Sequence, residues 1–124
     1  LAIYKNRAWL IKKKLDFKKM KKAIKFFKGT HNFSAFRASS CSAKSPIKKI
    51  NKANIKKIKD KIILTFESKS FLQKQVRSMV GCLKYVGENK WTPERIKYVI
   101  NSKQRKLCAP PAPSEGLYLK RVFY

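Results

Sequence analysis

Apolar residues recur along this chain in two clear rhythms, helical and alternating, and each predicts elements. Phe17, Met20, Ile24 and Phe27 follow one another at helical spacing and make a single stripe. Asp16 suits the N-cap of that helix and Gly29 its C′ position. Lys18, Lys19, Lys22 and Lys25 fall on the opposite side, a face that fits a solvated surface as well as a binding one. Farther on, Ile62, Leu64 and Phe66 alternate with Ile63, Thr65 and Glu67, which predicts a strand. Lys59-Asp60-Lys61 reads as a turn, so 48–58 is its hairpin partner, although Ile47, Ile50, Ile55 and Ile58 fit neither period well. A second helix carries Leu72, Val76, Met79, Val80, Leu83 and Val86 on one face, opened by Ser70 and Gln73 as a capping box. Thr92 and Pro93 suit N-cap and N1 of a third, with Ile96, Val99 and Ile100 inward.

Between these elements the pattern predicts less. Residues 1–14 read as an irregular lead-in anchored by Trp9, Leu10 and Ile11. The small, polar stretch 30–46 reads as a long loop holding Phe33 and Phe36, and such loops often carry function. Ala109-Pro110-Pro111-Ala112-Pro113 ends helical structure, and Leu117–Phe123 is a candidate last strand. At 124 residues the chain makes one domain, spanning 1–124, with a core of useful size.

Charge changes this picture most. Thirty-two Lys and Arg face six acids, Asp16, Asp60, Glu67, Glu88, Glu94 and Glu115, for a net charge of +26. Part of the lysine count fits a general enrichment in Lys, Ile, Asn and Phe, but so few acids point to a polyanionic partner, nucleic acid before a membrane surface. No apolar run approaches the ~20 residues that cross a bilayer, and the opening lacks a signal-peptide pattern. Cys41, Cys82 and Cys108 lack C-x-x-C spacing and only His31 could join them on a metal. Free thiols in a reducing cytosol, hence a cytoplasmic location, are expected. Leu1 in place of Met suggests that a further segment lies upstream.

Most catalytic constellations are absent. There is no phosphate-binding glycine loop, and a hydrolytic triad would rest on His31 with no acid nearby in sequence. Asp16 reads as a cap, Asp60 as a turn residue and Glu94 as a first-turn helix residue. Arg77 stands out instead. It lies about 100° from Val76 on the helical wheel, at the edge of the apolar stripe, with Gln73 and Lys84 on the same flank. An arginine there presents a rigid fork to a carboxylate or phosphate, or simply snorkels to solvent.

Four stretches taken together resemble the TruA-type family of tRNA pseudouridine synthases: NRAWLIKKKLDFKKM at 6–20, GTHNFSAFRASSCSAKSPI at 29–47, ESKSFLQKQVRSMVGCLKYVG at 67–87 and SKQRKLCAPPAPSEGLYLKRVFY at 102–124. The resemblance covers essentially the whole chain and corresponds to the C-terminal half of the family's fold. It implies an α+β domain, an antiparallel sheet backed by helices, and a reaction in which the uracil–ribose C–N bond breaks, the base turns and a C–C bond forms. It implies no metal or organic cofactor, tRNA as partner, a target uridine in the anticodon stem-loop, and a homodimer for the complete protein. Arg77 matches the basic residue that pairs with the family's catalytic Asp. Leu117 matches an apolar wall of the base pocket, and Phe71 and Gln75 match residues that support it. Arg37, with Phe36, matches the F-R segment of the loop, whose role is structural or RNA-proximal, and Lys84 is a further RNA-proximal candidate. The family's Arg-x-Asp-x-Gly segment does not occur in these residues, nor does its active-site tyrosine, so the chain by itself is expected to be inactive. Asn32, Lys74 and Gln104 depart from the family pattern. A basic RNA-binding protein without enzymatic activity is the alternative.

Overall fold

A computed structural model describes residues 5–11, 15–38, 45–59, 61–113 and 117–118. Its centre is a five-stranded, wholly antiparallel sheet in the order β2-β3-β4-β1-β5. The strands are β1 (Lys5–Ile11), β2 (Gly29–Asn32), β3 (Ile47–Ile58), β4 (Lys61–Ser68) and β5 (Leu117–Tyr118). Three helices, α1 (Phe17–Ile24), α2 (Gln75–Gly87) and α3 (Glu94–Ser102), complete the α+β architecture that the resemblance implies.

The β3–β4 hairpin forms as the alternation predicts. Ile62, Leu64 and Phe66 point into the core, while Ile63, Thr65 and Glu67 face the other side. The turn places Lys59 at φ 55°, in the left-handed region that a tight reversal requires. Two expectations fail here. The lead-in is no irregular segment: Lys5–Ile11 forms β1, paired with β4 so that Trp9 lies opposite Leu64 and Ile11 opposite Ile62. The loop at 30–46 likewise begins with three residues of β2, Thr30, His31 and Asn32, on which a single 3-10 turn at Ser34–Phe36 follows. Neither strand alternates in sequence, since residues 8–11 are a continuous apolar run and β2 is four small or polar residues, and pairing with a neighbour decides them. Residues 39–44 of that stretch lie outside the described residues.

The helices bury the predicted stripes. Asp16 caps α1 by accepting from the Lys19 N–H at 3.2 Å, and its own N–H reaches the Gly87 carbonyl at 2.9 Å, tying α1 to the end of α2. The α-helix stops at Ile24 and tightens into a 3-10 turn through Phe27 with Lys28 as its C-cap, so Gly29 follows at the expected C′ position, at φ +102°, and opens β2. Phe27 meets Phe36 and Phe66 edge-on, with centroids 5.3 and 6.3 Å apart. Such edge contacts add about 0.5–1.5 kcal/mol each beyond burial. α3 begins one residue later than the capping pattern suggests, and Ile96, Val99 and Ile100 are inward as expected. The last strand is described only at Leu117–Tyr118, and the rest of that expectation lies outside the described residues.

Candidate active-site face

The first turn of α2 is built by an arrangement other than the expected capping box. Ser70 does not cap it; its hydroxyl receives the Lys48 ammonium at 2.9 Å. Gln75, fully buried, reaches back instead. Its Oε1 accepts from the Leu72 N–H at 2.8 Å and its Nε2 points at Met79 Sδ, 3.5 Å away. Lys74 precedes the helix at φ 63°, a left-handed conformation that costs a residue with a Cβ about 1 kcal/mol or more. The start of α2 is thus fixed by a buried amide and a strained backbone.

Arg77 stands on this turn, half-buried at the rim of the core. Its Nε donates to the Ala112 carbonyl at 2.9 Å, and the Ala112 N–H donates to the Arg77 carbonyl at 3.0 Å. One residue of the extended 109–113 segment therefore grips both the side chain and the main chain of Arg77. Gly81, one turn on, makes the close approach possible. A Cβ there would lie 2.1 Å from the Pro110 carbonyl oxygen, far inside contact distance. Deeper on the same flank Cys82 and Cys108 sit with sulfurs 3.4 Å apart, and Cys108 lies 3.9 Å from the Ser78 carbonyl. Donation from the Cys82 thiol, aided by the Arg105 charge, holds Cys108 below the ordinary thiol range despite its burial. Cys82 is pushed up, first by that hydrogen bond and then by burial. When Cys108 ionises, the Cys82 thiol is placed to donate to it. Cys41 lies outside the described residues.

Other candidates converge on this turn to different degrees. The segment after Arg37 joins it, since the Ala38 N–H donates to the Gln73 carbonyl at 3.0 Å, and Arg105 Nη1 donates to the Arg37 carbonyl. Phe71 is half-buried against the core. Lys84, also half-buried, shares Arg77's flank two turns along, about 10 Å up the axis. Leu117 lies in β5 opposite Trp9, five residues beyond Ala112, hence within about 18 Å of it along the chain. Asn32 closes a tight turn ahead of the 3-10 turn, its Oδ1 accepting from the Ser34 N–H at 3.0 Å and hydroxyl at 2.6 Å. No cluster of three metal-ligating side chains occurs among the described residues. Sequence reasoning missed Gly81 and Ala112. The available signal was Gly81 itself, since a glycine inside a helix costs up to about 1 kcal/mol and needs a reason.

The antiparallel α+β domain is the architecture that the family resemblance implies. Residues 23–124 match the family model described as tRNA pseudouridine synthase, and the chain belongs to that family. It is 57% identical over 123 residues to the tRNA pseudouridine synthase A of Pelagibacter ubique, covering 99% of this chain and 50% of that protein. Identity is 42% over 123 residues with the Caulobacter vibrioides protein of the same name, again covering 99% of this chain and 50% of the relative. It is 40% over 124 residues with that of Sinorhizobium medicae, covering 100% of this chain and 50% of the relative. The chain spans about half the length of the curated relatives it matches.

Proposed function

We propose that these residues form the RNA-holding half of a tRNA pseudouridine synthase active site, acting on a uridine of the anticodon stem-loop. The observation that carries the reading is the grip of Ala112 on Arg77. An arginine with its Nε already committed keeps its terminal nitrogens in a fixed plane, suited to a carboxylate. That carboxylate would belong to an Arg-x-Asp-x-Gly segment outside these residues. Leu117, Phe71 and Gln75 would shape the space beside the base. The isomerisation breaks the C–N glycosidic bond, lets the uracil turn, and closes a C–C bond to the same ribose carbon. It needs the base out of its stack, which costs a few kcal/mol, and contacts to phosphates offset that. The large positive charge suits this role.

The test is incubation of the purified 124-residue chain with tRNA, alone and beside a two-half relative of the family. Mass-spectrometric detection of pseudouridine only with the relative is the expected result. Pseudouridine formed by the chain unaided would sink this division of labour. Tight tRNA binding without any effect of Arg77 on activity in a two-half protein would favour the purely RNA-binding alternative.

A further inference from the structure

A polar hollow that does not include Arg77 lies at the irregular end of the β3–β4 hairpin. Pairing slips between Ile50 and Lys52: Ile50 lies opposite Ser68 and Lys52 opposite Glu67, so Asn51 is an extra residue. Such a bulge bends the strand and re-aims its side chains. Beneath it Ser68 is buried, 1% exposed, with its hydroxyl 2.7 Å from the Lys49 carbonyl and 2.8 Å from that of Ser70. Its single hydrogen serves one carbonyl at a time. Lys48 is held in place by its bond to Ser70.

The resulting cavity measures about 310 Å³, and its wall is chemically one-sided. Lys48, Lys49 and Lys69 supply ammonium groups, while Asn51, Ser68 and Ser70 supply neutral polar groups. Among the described residues no carboxylate lines it. Three cations around one hollow repel one another, and a bound anion removes that cost. Ile47, 55% exposed, adds an apolar surface at the rim.

We propose that this cavity is a phosphate subsite that holds one phosphodiester of a bound RNA. The choice of RNA rests on the proposed function; the choice of phosphate rests on the cavity alone. The β4–α2 link favours the same source, because Ser70 on the cavity wall is seven residues from Arg77. A strand seated at both points would have its backbone fixed near the place where one base is withdrawn. The flexible lysine ammoniums suit a phosphate of unfixed orientation, where a bidentate arginine would demand one geometry.

The test uses the 124-residue chain, amide NMR, and two charge-matched double variants. Lys48→Gln with Lys69→Gln removes the subsite, and Lys18→Gln with Lys22→Gln removes the same charge from α1. Inorganic phosphate is expected to shift the amides of Lys49, Asn51, Lys69 and Ser70 in the parent and the α1 variant, and to leave them unmoved in the cavity variant. A tRNA titration should shift the same amides and displace the phosphate. The cavity variant should also lower the slope of log affinity against log salt by about 0.7–0.9, one phosphate contact. Phosphate shifts spread evenly over all lysines would overturn the subsite. If phosphate seats in the cavity but tRNA neither shifts those amides nor displaces it, the RNA assignment falls and a free phosphate ligand stands. The spectrum of each variant reports whether it folds.

Discussion

Helices α1 and α2 both present cations, and they do so in opposite ways. On α1, Lys18, Lys19, Lys21 and Lys22 stand in solvent, and the one with a described side-chain partner, Lys19, meets Asn89. On α2, Arg77 is half-buried, bonded through its Nε and gripped through its main chain by the same residue. Charge that is free to move attracts a polyanion at a distance and tolerates substitution. Charge that is held in one place reads geometry. In a strongly cationic protein, constraint therefore singles out Arg77 as the candidate to test, where abundance singles out none.

The largest effect should come from breaking the held member of that comparison. In a two-half protein of the family, Arg77→Lys is expected to lower pseudouridine formation at least ~100-fold, about 2.7 kcal/mol of transition-state stabilisation. Affinity for tRNA should stay within about threefold, read by filter binding. Equal loss in both would class Arg77 with the lysines of α1.

Next in size is Gly81→Ala. By helix propensity alone the change should stabilise by up to about 1 kcal/mol. Because a Cβ meets the Pro110 carbonyl, urea melts should instead show a loss of about 1–3 kcal/mol. A gain would mean that the 109–113 segment does not sit on α2 in solution.

The thiol pair gives a smaller, pH-dependent signal. Cys108 is lowered in the folded chain, so its contribution is present above the unfolded thiol value and lost as pH falls through the folded one. Cys82 is raised, so its contribution is present below the unfolded value and lost as pH rises. Between the folded Cys108 value and the ordinary thiol range the unfolded chain binds one more proton, and stability rises with pH. Above that range it binds one fewer, and stability falls. The urea midpoint should thus peak near the ordinary thiol value, with slopes below the one-proton limit of ~1.4 kcal/mol per pH unit. Cys82→Ser with Cys108→Ser should flatten the profile; an unchanged peak would assign it to other groups.

The smallest effect belongs to α1. Lys18→Gln with Lys22→Gln should move stability by no more than ~0.5 kcal/mol. It should lower only the salt dependence of tRNA binding. Loss of activity at saturating tRNA would show that this face, too, is positioned.

The same contrast explains what the sequence made legible. Elements whose stripes run several turns or alternations, α1, α2, α3 and β4, announce themselves because burial repeats with the local period, and β3 follows only from the turn beside β4. β1 and β2 do not, since their partners lie many residues away: Lys5 pairs with Ser68 and Gly29 with Ile50. The site divides similarly. Arg77 is visible as a cation at the edge of an apolar stripe. The residue that holds it, Ala112, has no side-chain chemistry to betray it, and it acts through main-chain atoms. The cavity under the β3 bulge is equally silent, because a register slip arises only once two strands meet.

The position of β1 has a kinetic consequence. It lies between β4 and β5, yet its partners on β4 are 51–63 residues away in sequence and that on β5 about 110. The β3–β4 hairpin closes locally and should form first, with β1 inserting late, since distant pairing is slow. Until then the edge of β4 stands open, and the cations on both strands, Lys56, Lys57 and Lys61 among them, discourage pairing with another chain. Trp9, buried against that edge at 2% exposure, is a natural reporter of the closing step. Stopped-flow refolding should show its fluorescence change lagging strand formation seen by circular dichroism; simultaneous traces would mean that the sheet assembles as one unit.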